Sequence, residues 1–187
     1  MPRIAPDLLA AFGLTLGLSA CEALPAAPST PIAQTWVCGR EYVNHAWGYV
    51  RYGTVFDRDG NVWRYNSRNI PEQVSHPWNA SDLTNLTEDD LKARYFGATK
   101  ADLHLMPGDI AHHLPLVADA ANGKLTEPRM TAADMGEFVS YCYLYDAGRH
   151  SYRDVILEEH GDLTMTNTSP AAKELASWIE RSLGKDY

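Results

Sequence analysis

Alternating apolar and polar positions predict a β-hairpin in the first half of the chain. The run TVFDRDGNVWRY, residues 54–65, places an Asp-Gly pair between two apolar segments. Asp and Gly accept the positive backbone φ that tight hairpin turns require. We therefore expect strands at about residues 35–39, 46–56 and 61–66.

The same alternation returns near the C-terminus and predicts a second hairpin. YRDVILEE and LTMTN flank the turn residues His160, Gly161 and Asp162. Ser169 followed by Pro170 is typical of a helix start. After it, apolar residues recur at helical spacing and predict an amphipathic C-terminal helix. They are Ala172, Leu175, Ala176, Ile179 and Leu183.

Helix-start signals occupy the middle of the chain. Thr-x-x-Asp capping boxes occur at positions 87–90, 99–102 and 131–134. The first predicts a short helix to about Phe96. After the third, apolar residues spaced i, i+3, i+4 and i+7 predict a helix ending at Gly148, although the run FVSYCYLY within it is rich in strand-forming residues.

This order of elements predicts an α+β fold. We expect an antiparallel sheet built from the two hairpin regions, with several short helices and the C-terminal amphipathic helix packed on one face. Residues 35–187 have an ordinary length for one globular domain.

A short apolar segment precedes this domain. Residues 8–17 are apolar but too few to span a bilayer, and the sequence Leu18-Ser19-Ala20-Cys21 follows. The segment resembles the signal peptide and lipobox of bacterial lipoproteins. That resemblance implies a signal peptide at residues 1–20, lipid attachment at Cys21 and a periplasm-facing membrane anchor. Because Glu22 rather than Asp follows the cysteine, it favours the outer over the inner membrane.

Residues 21–34 contain three prolines and few large apolar side chains, which is typical of a semi-extended spacer between the lipid and the domain. The chain has 16 Lys and Arg against 24 Asp and Glu, a formal net charge of −8. This acidic balance argues against nucleic acid as a partner and favours a basic protein.

Cys38 and Cys142 are the two cysteines that remain after Cys21. In an oxidising periplasm an even pair predicts a disulfide, which would stabilise the fold by about 4–5 kcal/mol through loop closure. Two buried thiols that never meet are the alternative.

Two stretches have residues that bind metals, and we expect a metal at neither. Asp57 and Asp59 begin like a calcium loop, but the glycine comes too early and the final Glu is missing. His104, Met106, His112 and His113 offer soft and imidazole ligands. However, neighbouring helical residues point about 100° apart, so His112 and His113 should not face one ion unless Pro115 breaks the helix.

Catalytic signatures are missing from the sequence. It contains no Gly-x-Ser-x-Gly elbow, His-Glu-x-x-His motif or phosphate-binding glycine loop. Glu158 and Glu159 are adjacent on a predicted strand and therefore face opposite sides. The sequence favours a non-catalytic protein without a cofactor, and we name no catalytic residue.

Aromatic residues are concentrated between residues 36 and 78, where four of the five tryptophans lie. Core packing accounts for most of them. An exposed strand face of Trp, Tyr and Arg would nevertheless have the composition of a binding hot spot. The predicted partner-binding residues are Trp47, Tyr49, Arg51, Trp63 and Tyr65.

Two functions are compatible with these features. The first is a tethered protein-binding module, for example an immunity or inhibitor protein against a secreted antibacterial toxin or a cell-wall lytic enzyme. The alternative is an envelope (peptidoglycan) hydrolase or glycan-binding lipoprotein that uses carboxylates such as Glu158 or Asp162 near the aromatic face.

Overall fold

The computed structural model describes residues 34–46, 48–69 and 83–184. They form an α+β fold with an eight-stranded antiparallel sheet and several helices. The predicted signal peptide, Cys21, residues 21–33 of the spacer, and Trp47 and Trp78 lie outside the described residues.

The strand order in the sheet is β4-β3-β2-β1-β6-β7-β8-β5. The strands are β1 Trp36–Asn44, β2 Val50–Asp57, β3 Asn61–Asn66, β4 Thr99–His104, β5 Arg129–Met130, β6 Glu137–Asp146, β7 Ser151–Gly161 and β8 Leu163–Thr166. The helices are α1 Glu88–Arg94, α2 Pro107–His113, α3 Leu116–Ala121 and α4 Pro170–Leu183, and a 3-10 turn covers Ser67–Asn69.

The β2–β3 turn is closed by Asp57. One of its carboxylate oxygens accepts hydrogen bonds from the backbone N–H groups of Asp59 and Asn61, at 3.0 and 2.9 Å. The other accepts from the indole N–H of Trp63 at 3.1 Å. Gly60 has φ +88°, which a residue with a Cβ rarely adopts. The residues that resemble the start of a calcium loop therefore form a hairpin turn.

The predicted disulfide is confirmed. Cys38 on β1 and Cys142 on β6 lie directly opposite each other and are bonded. They are 104 residues apart in the chain but occupy the two central strands of the sheet. The bond therefore joins the two halves of the sheet at its middle.

Each face of the sheet carries its own core. The helical face, which includes Cys38, Phe56 and Cys142, packs against α2, α3 and α4. The opposite face, here called the tyrosine face, includes Tyr65, Tyr141 and Tyr143 and packs against residues of α1 and of the turn that follows it. The sequence predicts cover on one face only, which is wrong, because α1 covers part of the second.

Two of the three capping boxes do not start helices. Residues 99–104 form β4, and the helix expected after position 131 is strand β6. β6 pairs with both β1 and β7 and therefore lies inside the sheet. Since both faces of the sheet carry a core, its side chains pack on both faces. Tyr141 and Tyr143 point to one face and Cys142 to the other, which suits strand-forming residues better than a helix would.

The first capping box is confirmed at the start of α1. The hydroxyl of Thr87 accepts the backbone N–H of Asp90 at 3.1 Å, and the Asp90 carboxylate accepts the backbone N–H of Thr87 at 2.7 Å. At α4, Ser169 occupies the N-cap position but its side chain makes no capping hydrogen bond. Among the described residues, no helix has the length and apolar character needed to cross a membrane.

Candidate functional site

Four of the five predicted partner-binding residues, Tyr49, Arg51, Trp63 and Tyr65, are described by the structure and lie on the tyrosine face. Arg51 and Tyr65 are only 4% and 6% exposed, whereas Tyr49 and Trp63 are half-buried. The expectation of an exposed face is therefore wrong for Arg51 and Tyr65, because α1 and the turn after it cover them. They are part of a buried ionic network.

Four charged side chains make up this network, in the order Arg51, Glu41, Arg94 and Asp154. Glu41 accepts hydrogen bonds from Arg51 through one oxygen and from Arg94 through the other, the second at 2.9 Å. Arg94 also donates to Asp154 at 2.6 Å. All four side chains are nearly fully buried. Two positive and two negative charges balance, as burial of ions requires.

Tyrosine hydroxyls surround the network. Tyr65 donates to Glu41 at 2.6 Å, and its oxygen lies 3.2 Å from that of Tyr141. Tyr95 makes hydrogen bonds to both Tyr141 and Tyr143. Burial raises the pKa of each of these four hydroxyls, so all remain protonated at neutral pH.

The two carboxylates of the network differ in their electrostatics. Burial opposes ionisation of Glu41, but the guanidinium groups of Arg51 and Arg94 outweigh it and lower its pKa to about 2. Burial raises the pKa of Asp154, and the single ion pair with Arg94 offsets this only in part. Among the described residues, no hydrogen-bond donor reaches the Oδ1 atom of Asp154.

A pocket of about 280 Å³ opens above the network. The four charged residues line it. Its other lining residues include the apolar Val43, Val139 and Ile156 and the polar His45, Tyr49 and Glu159. The pocket thus combines apolar contact surface with charges in a partly water-excluded setting, which is typical of small-ligand sites.

Glu159, which lines the pocket, interacts with a second carboxyl group, that of Glu137. Burial, and then a hydrogen bond and charge repulsion from Glu137, raise the pKa of Glu159 to about 8. The pair therefore keeps a proton at neutral pH. Glu158, its neighbour, contacts Ser140 and His160 instead, so adjacent glutamates do face opposite sides as predicted.

Asp162, the other carboxylate named from the sequence, has a structural role. It accepts the backbone N–H groups of Met135 and Gly136 at 2.9 and 3.0 Å and so braces the loop before β6. The carboxylates that line the pocket, Glu41, Asp154 and Glu159, are therefore not those that the sequence suggests. Glu137 and Glu159 come together because β6 pairs with β7. The sequence predicts a helix where β6 lies, so it does not predict this pairing.

A row of aromatic rings lies on the helical face. Tyr52, Tyr42 and Phe138 are directly opposite one another on β2, β1 and β6, and we call them the aromatic ladder. Neighbouring ring centroids are 4.9 and 5.0 Å apart. Phe138 is 36% exposed and both tyrosines are partly exposed. The guanidinium carbon of Arg40 lies 5.7 Å from the centre of the Phe138 ring.

The aromatic ladder carries the composition expected of a binding face, but on the opposite side from the one predicted. Arg51 and Tyr52 are neighbours on β2, so their side chains point to opposite faces of the sheet. Assuming the opposite orientation of β2 therefore exchanges its buried and its exposed side chains. Tyr42 and Tyr52 belong to the aromatic concentration between residues 36 and 78, whereas Phe138 lies outside it.

Three side chains that can bind metals meet on the helical side of the sheet. His112, His113 and Glu174 each offer one ligand atom, and these atoms lie within 4.8 Å of one another. The sequence predicts that His112 and His113 face one ion only if Pro115 breaks the helix, and α2 indeed ends at His113, two residues before Pro115. Both histidines lie in the last turn of α2.

Comparison of this chain with protein-family models, with curated proteins and with solved structures found no match. The case for a function therefore depends on the pocket, the aromatic ladder and the lipobox resemblance.

Proposed function

We propose that this protein is a lipoprotein whose lipidated Cys21 holds one α+β domain, residues 35–187, at the periplasmic side of the outer membrane. The domain binds a protein partner through the aromatic ladder. The partner class that fits best is a secreted antibacterial toxin or a cell-wall lytic enzyme, which the domain inhibits.

The aromatic ladder is the observation that carries this proposal. Aromatic and Arg side chains dominate the energetics of protein interfaces. The rings are held rigidly, because they lie opposite one another on paired strands and the Tyr42 hydroxyl donates to the carbonyl of Met135 at 2.7 Å. A rigid surface loses little conformational entropy on binding. Met135 is itself 65% exposed and adds adaptable apolar area beside the ladder.

Charge favours a basic partner. The chain has a formal net charge of −8, which accelerates association with a positively charged protein and makes that association sensitive to salt. The disulfide between Cys38 and Cys142 is compatible with an oxidising compartment.

Affinity capture with the full chain in detergent tests the proposal. The matched pair of variants is Phe138→Ala, in the aromatic ladder, and Phe96→Ala, an exposed phenylalanine after α1. We expect one stoichiometric partner whose complex weakens with salt, is captured less with Phe138→Ala and is captured unchanged with Phe96→Ala. A partner retained equally by both variants, or no partner from envelope or competitor extracts, contradicts the proposal.

The alternative, an envelope (peptidoglycan) hydrolase or glycan-binding lipoprotein, is favoured by Glu159, which lines the pocket. A carboxyl group that is still protonated at pH 7 is suited to act as a general acid on a glycosidic oxygen. Purified peptidoglycan incubated with the chain tests this. Release of soluble fragments that falls by about 100-fold or more in Glu159→Gln supports it, and no release rejects hydrolysis.

A further inference from the structure

We propose that His112, His113 and Glu174 form a binding site for Zn²⁺ or Cu²⁺ that links α2 to α4. Their three ligand atoms lie within 4.8 Å of one another, two from the last turn of α2 and one from α4. This site lies on the helical side of the sheet, whereas the pocket lies on the tyrosine face.

His113 is already oriented for metal binding. Its Nδ1 atom lies 2.8 Å from the carbonyl oxygen of Asp109, one turn earlier in α2, and a carbonyl oxygen can only accept. Nδ1 therefore carries the proton and Nε2 has the free lone pair. In most metal-binding histidines, a hydrogen bond of this kind from the ring nitrogen that does not bind the metal fixes the tautomer.

The ring of His113 is also held in place by packing. It stacks on the indole of Trp178 with centroids 4.2 Å apart and planes only 4° from parallel. Trp178 is buried in the core of the helical face. Glu174 precedes it by four residues on α4, so the two side chains lie on the same side of that helix. The core therefore places the Glu174 carboxylate beside the His113 ring.

The two remaining ligands can complete the site with small movements. His112 and Glu174 are exposed, and the rings of His112 and His113 are 5.0 Å apart. Ligand atoms at about 2.0–2.2 Å from one ion lie roughly 3–4 Å from each other. The observed spread must therefore shrink by about 1 Å, which side-chain rotation at two surface positions permits.

The ligand set selects the ion. Two imidazoles and one carboxylate suit Zn²⁺ and Cu²⁺, whereas Ca²⁺ and Mg²⁺ prefer oxygen ligands alone. Water would fill the remaining coordination positions. Because the ion would join two helices that pack over the disulfide, its binding would also stabilise the fold.

Titration calorimetry of the untagged full chain in detergent with ZnCl₂ and with CuCl₂ tests the proposal. We expect one saturable site per chain. Glu174→Gln and His112→Ala should each weaken it by about tenfold or more, because each removes a ligand. Glu127→Gln and His150→Asn are exposed controls outside the cluster and should bind as the unaltered chain does, since Asn tolerates the positive φ of His150.

Thermal melting separates loss of the site from loss of the fold. All four metal-free variants should melt close to the unaltered chain, since the substitutions are on the surface. The ion should raise the melting temperature of the unaltered chain and of both controls, but not that of Glu174→Gln. Absence of saturable binding, or binding retained in both Glu174→Gln and His112→Ala, overturns the proposal.

Discussion

Four charged side chains buried between α1 and the sheet, one of them from α1, dominate the chemistry at the scale of single residues. Glu41 bridges Arg51 and Arg94, and Arg94 bridges Glu41 and Asp154. Removing one partner of such a network leaves an uncompensated buried charge, which costs far more than the ion pair contributes. These residues therefore form the most mutation-sensitive part of the fold.

Glu41→Gln should lower the free energy of unfolding by about 3–5 kcal/mol, because both arginines lose their shared carboxylate. Glu127→Gln, at an exposed position, should change it by less than about 0.5 kcal/mol. Urea unfolding at pH 7 measures both. Equal stability of the two variants would show that the network does not hold α1 against the sheet.

The pKa of Glu41 is about 2 in the folded chain, against the usual 4.5. The stabilising effect of the same network therefore depends on pH in the acidic range. A lowered folded-state pKa stabilises the fold above about pH 4.5, and this contribution is lost as the pH falls towards 2.

Glu159 has the opposite pH dependence. Its pKa of about 8 in the folded chain is above the usual 4.5, so its contribution to stability is full below pH 4.5 and is lost as the pH rises through 8. Glu159→Gln, which mimics the protonated carboxyl, should therefore remove much of the decline in melting temperature between pH 6 and pH 9. Melting curves of both chains across this range measure the effect. Parallel curves would mean that the Glu137–Glu159 pair does not share a proton.

At the scale of elements, the disulfide joins the two central strands. Replacing Cys38 and Cys142 together by Ala should reduce the free energy of unfolding by about 2–5 kcal/mol, since the closed loop spans 104 residues. Chemical denaturation under non-reducing conditions measures this. If the double variant is as stable as the unaltered chain, the β-ladder between β1 and β6 alone holds the centre of the sheet.

Sequence patterns predict an element correctly where interactions between residues that are close in sequence decide its structure. The Asp57 turn and the Thr87 capping box are such cases, because their hydrogen bonds lie within a few residues. β6 is the opposite case. Its apolar spacing also fits a helix, and only its pairing with β1 and β7, distant in sequence, makes it a strand.

The candidate sites follow the same rule. Cys38 and Cys142 could be paired from the sequence because the two remaining cysteines allow a single pairing. The ionic network, the Glu137–Glu159 pair and the aromatic ladder each combine residues from three or more elements or from strands of unknown register. The orientation of β2 alone decides whether Arg51 or Tyr52 is buried, and no local signal fixes that orientation.

At the scale of the whole molecule, the proposed lipid anchor determines where the domain acts. Expression in a bacterium with radiolabelled palmitate should label the unaltered chain, while Cys21→Ala should abolish the label and leave the chain uncleaved at residue 20. Cys38→Ala, which removes a disulfide cysteine instead, should still be labelled. Equal labelling of Cys21→Ala and the unaltered chain would contradict lipidation at Cys21.

We propose that the aromatic ladder, rather than the pocket, binds the protein partner. The dissociation constant of the captured partner for Phe138→Ala and for Phe96→Ala tests this. We expect Phe138→Ala to raise the dissociation constant by about tenfold or more, as for a residue in a binding hot spot, and Phe96→Ala to leave it unchanged. Equal affinity of the two variants for the partner would contradict it.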